Sequence, residues 1–189
     1  MVRWEPGARE RLQAAALELY SSQGFEATTV SDIAARAGLT ERTFYRYFAD
    51  SREVIFAGQD VFQRTFLDGL DSAAESATPL AMMAAALVSS SAYFPNDRRP
   101  YSRQRQHVID ANPGLQEREL LKLASLAVQL AAALRRRGVP EPSATLAAES
   151  GMTVFRVAFD TWLETDDDRS IADIEQELFL QLGALTATP

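Results

Sequence analysis

The eleven residues Gly38 to Phe48, GLTERTFYRYF, hold four rings, two guanidiniums and two threonine hydroxyls. A buried helix has no use for the guanidiniums, and a fully solvated one has none for the rings. At helical spacing Phe44 and Phe48 are four apart and share a face. They are therefore the inward anchors. Arg42, Thr43, Arg46 and Tyr47 then point elsewhere, and Tyr45 takes an intermediate direction. An outward face of donors and rings suits phosphate oxygens and base edges.

Such a face needs a support, and the flanking sequence supplies one. Pro6 can open a first helix in which Leu12, Ala15, Ala16, Leu19 and Tyr20 recur at helical spacing. Gly24 is expected to end it as a left-handed cap. Thr29 can cap a short second helix, with Asp32 completing a capping box. Val30, Ile33, Ala34 and Ala37 form its inner face, and Gly38 stops it. Thr40 can cap the third helix, Glu41 to about Phe48. Two short helices joined by a glycine-bearing turn, after a longer one, describe a helix-turn-helix. Asp50 and Glu53 form a further capping box, predicted to open a long fourth helix from Ser51 to about Ala74.

Beyond Pro79 the helical signals continue: Ala81–Phe94, Ser102–Ala111, Leu115–Arg137, Ser143–Glu164 and Ile171–Leu185. The expected fold is all-α, with about nine helices and no sheet. Residues 1–52 are read as a three-helix DNA-binding domain and 53–189 as a second helical domain.

Composition narrows the functions. The chain has 189 residues, 47% of them hydrophobic, and no cysteine. Disulfides, thiolate nucleophiles and cysteine-held metals are excluded. No apolar run reaches the roughly 18 residues of a membrane span, and the polar start is no signal peptide, so a cytoplasmic protein without membrane attachment is expected. The net charge of −7 is unevenly placed: Met1–Arg52 holds seven arginines and seven acids, so the whole excess lies after it. Nucleic-acid binding needs a local basic face rather than a basic chain. With a single histidine, His107, and no phosphate-cradling glycine motif, no catalytic or metal site is expected and no cofactor. The run Thr165–Arg169 reads as a solvated linker or a weak cation site.

The stretch TTVSDIAARAGLTERTFYRYFADSREVI, residues 28–55, resembles the amino-terminal domain of the TetR family of bacterial one-component repressors. The likeness covers about Arg9–Ile55. It implies that Thr29 and Thr40 cap helices at phosphates and that Tyr45 donates its hydroxyl to the DNA backbone. Glu41, Arg42 and Thr43 fall at the base-reading positions. Tyr47 stands where a histidine is common, and either can donate to a phosphate. Arg46 lies on the same outward face. At the start of the fourth helix a lysine is usual and Ser51 stands instead; Ser51, the helix amino terminus or Arg52 is the substitute. The partner implied is a double-stranded DNA operator.

For the remaining chain the resemblance implies a ligand pocket among central helices and a homodimer through the last two. The sequence adds support of its own. Both terminal helices are apolar around most of their circumference, which requires burial on two sides. Val154, Val157, Thr161, Leu178 and Leu182 are the expected dimer contacts; a central core helix without a dimer is the alternative. Phe62, Phe66, Met83, Tyr93, Leu121 and Phe155 can line a pocket for a small apolar or amphipathic effector, with Arg103 or His107 for a polar end. Core packing for the apolar residues, and a solvated face or ion pairs for the basic ones, remain open. So do a constitutive repressor without effector and a helical protein-interaction module.

Overall fold

A computed structural model describes residues 7–186. Among them are nine α-helices, two short 3-10 turns and no strand. They form two compact units: residues up to Gln59 with Tyr101–Glu119, and Asp60–Pro100 with Leu120 onward.

The first unit opens with α1 (Ala8–Gln23), α2 (Val30–Arg36) and α3 (Glu41–Tyr47). Pro6 lies outside the described residues, and Gly7 occupies the cap position of α1. Gly24 ends α1 with φ 88° and ψ 157°, its N–H donating to the Tyr20 carbonyl. That is a positive-φ stop, although in the extended rather than the left-handed helical region. Most of α6 (Arg99–Asp110) and the start of α7 (Pro113–Arg136) belong to the same unit. Leu12, Ala16, Ile33, Phe44, Ile109 and Leu115 are each fully buried in its core. Each large apolar side chain of this kind contributes roughly 1.5–3 kcal/mol by leaving water.

The long fourth helix does not form as one piece. Asp50 caps as expected, its Oδ1 accepting from the Arg52 and Glu53 N–H groups at 2.8 and 3.0 Å. A 3-10 turn over Glu53–Phe56 follows, then extended Ala57 and Gly58 at φ 88°. Only at Gln59 does α4 (Gln59–Ser72) begin. Val54, Ile55 and Phe56 are all buried. Three consecutive buried side chains point in three directions, so this turn is enclosed by the core on every side rather than along one stripe. Gly58 then adopts a backbone angle that an L side chain resists.

The second unit contains α4, α5 (Pro79–Ser91), the rest of α7, α8 (Ser143–Glu164) and α9 (Ile171–Thr186). Two glycines let α5 approach its neighbours. A Cβ at Gly69 would lie 2.7 Å from the Ala85 carbonyl, and one at Gly151 would lie 2.5 Å from Met83 Cε. Buried Arg99 ties down the connection after α8. Its guanidinium donates to the carbonyls of Thr165, Asp167 and Arg169 and lies over the Trp162 ring. Arg137 does the same for the end of α4, donating to the carbonyls of residues 70, 71, 73 and 74. Ser170 and Asp173 cap α9 reciprocally.

Candidate nucleic-acid interface

The helix-turn-helix is built from contacts only a few residues long. The Thr29 hydroxyl accepts from the Asp32 N–H at 3.1 Å, and Asp32 Oδ2 accepts from the Thr29 N–H at 2.9 Å. The hydroxyl proton also goes to Asp32, at 2.6 Å. These bonds hold the Asp32 carboxyl below its ordinary range, the hydroxyl contribution being the largest. At the other end of α2, Leu39 N–H reaches the Ala34 carbonyl and Gly38 N–H that of Ala35. That pair of bonds is a Schellman stop, made possible by Gly38 at φ 66°. Leu39 then packs into the core, which sets the direction in which α3 departs.

Phe44 and Phe48 are buried, with ring centroids 5.4 Å apart, so they anchor α3 as the spacing predicted. Glu41, Arg42, Arg46 and Tyr47 are exposed, and Thr43 is half-buried. Tyr45 is 57% exposed and sits edge-on against Phe44. Arg46 stacks on the Tyr47 ring at 4.9 Å and donates to its hydroxyl at 3.2 Å. This intrahelical pairing fixes a long side chain, so less freedom is lost when it meets a phosphate. Thr40 caps α3 by accepting from the Thr43 N–H, and the two threonine hydroxyls are 3.1 Å apart.

The flanks are held by longer-range contacts. Arg36 pairs with Glu18 at 2.6 Å between α2 and α1. The Tyr20 hydroxyl donates to the Ser51 carbonyl at 2.6 Å, and burial pushes that phenol up. Ser51 is therefore positioned through its backbone, half-buried, while Arg52 is exposed. Glu53 pairs with Arg118 at 2.6 Å.

The residues proposed for a ligand fall in both units. Phe62, Phe66, Tyr93 and Phe155 come together with Phe94, Phe159 and Trp162 in one cluster of rings in the second unit. Phe62 alone has four ring neighbours at 4.9–5.6 Å. Met83 is buried in the same core, under Gly151. Leu121 is 58% exposed, apart from that buried cluster. Arg103 and His107 belong to the first unit. Their neighbour Arg105 donates to the Ile55 carbonyl at 3.1 Å and pairs with Glu119 at 3.0 Å.

Of the dimer candidates, Val154 is buried in its own core and Val157 is 41% exposed. Thr161, Leu178 and Leu182 are half-buried, and the Thr161 hydroxyl donates back to the Val157 carbonyl. Leu146 on α8 and Leu180 on α9 are exposed.

Sequence reasoning passed over Glu175. It is 1% exposed, and neither carboxyl oxygen has a hydrogen-bond partner among the described residues. Burial pushes its carboxyl up to about 8. The signal was available: Ile171, Ile174, Glu175, Leu178 and Phe179 follow an i, i+3, i+4, i+7, i+8 pattern, which places position 175 inward.

A capped, glycine-turned helix pair that presents a donor face, followed by a second unit of longer helices, is the architecture of a helix-turn-helix transcriptional regulator. The chain belongs to the TetR family. The profile of bacterial regulatory proteins of the tetR family matches residues 12–57, and that of the MftR C-terminal domain matches residues 77–186. The chain is thus a TetR-family transcriptional regulator. MftR of Mycobacterium tuberculosis, a regulator named for mycofactocin biosynthesis, is 29% identical over 174 residues, covering 89% of this chain and 86% of that protein. The transcriptional regulator TcmR of Streptomyces glaucescens is 37% identical over 78 residues. That match covers 41% of this chain and only 34% of TcmR, so the chain spans about a third of that relative. The fold is shared with FadR of Bacillus subtilis, solved in complex with stearoyl-CoA. There the TM-score is 0.63 and the identity 17%, over 92% of this chain and 96% of that one. No described helix is long and apolar enough to cross a membrane.

Proposed function

We propose that this chain is a cytoplasmic repressor that binds a palindromic operator as a homodimer and leaves it when a small effector binds. The observation that carries the DNA half is the solvent-facing set Arg42, Tyr45, Arg46 and Tyr47 on a helix fixed from beneath by Phe44 and Phe48. In this reading Glu41, Arg42 and Thr43 meet base edges. Thr40, Tyr45, Arg46, Tyr47, Ser51 and Arg52 meet phosphates. Thr29 serves first as the cap of α2, because its hydroxyl proton already goes to Asp32. Residues 1–52 read DNA, and 53–189 sense and dimerise.

A dimer places two copies of α3 in successive major grooves, roughly 34–36 Å apart. Val157 and Thr161, with the exposed leucines Leu146 and Leu180, give α8 and α9 an apolar outer face for that contact, and half-buried Leu178 and Leu182, which pack against the core, border it. Val154, although buried against its own core, shares this stretch of α8.

The effector is apolar or amphipathic. Support comes from the seven-ring cluster with Met83, and from a neighbour of the same fold that holds a fatty acyl thioester. An effector shifts operator affinity only by its preference for one conformation, typically 1–3 kcal/mol. The test is fluorescence anisotropy with fragments upstream of the chain's own gene and its neighbours. Salt-dependent binding that prefers one fragment supports the reading; equal weak binding to all fragments leaves an interaction module. Specific binding that no apolar compound alters leaves a constitutive repressor.

A further inference from the structure

Glu175 is an acid where the fold calls for a leucine. It lies on the inner face of α9, between Ile171 and Ile174 on one side and Leu178 and Phe179 on the other, in the core that holds the ring cluster. Buried carboxyl groups are hydrogen-bonded as a rule, and one with both oxygens unmatched requires a reason. No cation among the described residues bonds to it; buried Arg99, beside the loop before α9, is taken up by the carbonyls of Thr165, Asp167 and Arg169. The helices that pack most on α9 are α5 and α8. α5 carries no charged side chain at all. α8 carries Glu149, Arg156, Asp160 and Glu164, all exposed. On α9 itself Asp173 and Glu177 are exposed, and Arg169 before it pairs with Asp167 and Glu177. An apolar residue of similar size would serve stability better, so the acid's partner is to be sought outside the chain.

We propose that Glu175 is the recognition point for a lipophilic organic cation, an amine or quaternary ammonium on an alkyl or aromatic body. The chemistry on both sides of the ligand agrees. The carboxylate would meet the charged head, and Phe62, Phe66, Tyr93, Phe94, Phe155, Phe159 and Trp162 offer faces that attract a cation as well as an apolar body. The carboxyl is protonated at neutral pH in the empty protein, so a fixed cation displaces that proton to solvent. The inference rests on the effector reading above and gives it a charge.

The test uses the full-length protein without DNA and three probes of one chain length: decyltrimethylammonium, decanol and decanoate. Calorimetry and tryptophan fluorescence report binding. The cation should bind at least 10-fold more tightly than the other two at pH 8. It should release about half a proton at pH 8 and close to one at pH 7 in buffers of different ionisation enthalpy, and its affinity should fall toward 10-fold for each pH unit below 8. Glu175→Gln, checked for helix content, should remove the cation's advantage and leave decanol unchanged. Equal binding of the three probes overturns the proposal. So does a cation affinity that ignores both pH and Glu175→Gln. The same probes are then added to the operator complex. If decanol or decanoate releases the operator and the cation is not preferred, only this inference fails. If the cation binds with the expected preference but the operator complex persists, the inference stands and the sensor reading fails.

Discussion

Replacing Glu175 by glutamine should raise the stability of the free protein at neutral pH and remove most of its pH dependence between 5.5 and 7.5. The carboxyl moves from its ordinary 4.5 in the unfolded chain to about 8 in the folded one. Between those values the folded chain keeps the proton and the unfolded chain does not. Stability therefore falls as pH rises from 4.5 and levels off above about 8. At a little over 1 kcal/mol per pH unit, the wild type should lose roughly 2–3 kcal/mol between pH 5.5 and 7.5. For a chain of this length that corresponds to a melting temperature lower by about 5–11 °C. The acids held below their ordinary range, Asp32, Glu141, Asp167 and Asp173, act in the opposite direction. Their contribution is lost only as pH falls below about 4, outside this window. The assay is urea unfolding followed by far-ultraviolet circular dichroism at both pH values and one fixed protein concentration, since a dimer's stability depends on concentration. A wild type and a Glu175→Gln variant with the same change in unfolding free energy between the two pH values would refute the reasoning.

Four further outcomes are expected. Arg42→Ala should lower the ratio of operator to random-DNA affinity by about 1–3 kcal/mol, whereas Tyr45→Phe should weaken both alike; anisotropy titrations against the two DNAs separate these. Thr29→Ala should cost about 1 kcal/mol of stability through the lost cap. It should also let the Asp32 carboxyl titrate closer to its ordinary range, read by NMR. Gly151→Ala places a methyl 2.5 Å from Met83 Cε and 3.3 Å from its Cγ, so it should cost about 1–3 kcal/mol, and the cost should shrink in a Met83→Ala background, which removes both atoms, as a double-mutant cycle would measure. Val157→Asp should yield monomers in sedimentation at micromolar concentration, because Val157 is half-exposed whereas a charge at Leu178 would also disturb the core.

The amino-acid sequence by itself determined the helix-turn-helix, because its signals act over a few residues. The Thr29–Asp32 box spans three positions, and the Gly38 stop closes through bonds to Ala34 and Ala35. The inward pair Phe44 and Phe48 and the outward Arg42 and Arg46 follow from helical spacing alone, as do the nine helices. Tertiary structure decided what depends on distant neighbours. Asp50 and the apolar residues after it read as the start of a continuous fourth helix. A 3-10 turn over Glu53–Phe56, with Gly58 at positive φ, interrupts it. Nothing along the chain marks out Arg99 and Arg137, yet their guanidiniums close loops by binding carbonyls more than sixty residues away. Arg103 and His107 are close to Arg105 in sequence, but only packing assigned all three to the first unit and the rings to the second. Glu175 is the sharpest case. Helical period shows that its position faces inward, but only the packing of α5 and α8 shows that nothing there can pair with it. Local hydrogen bonds and periodicity are written along the chain, whereas the desolvation of one carboxyl depends on what every surrounding element lacks.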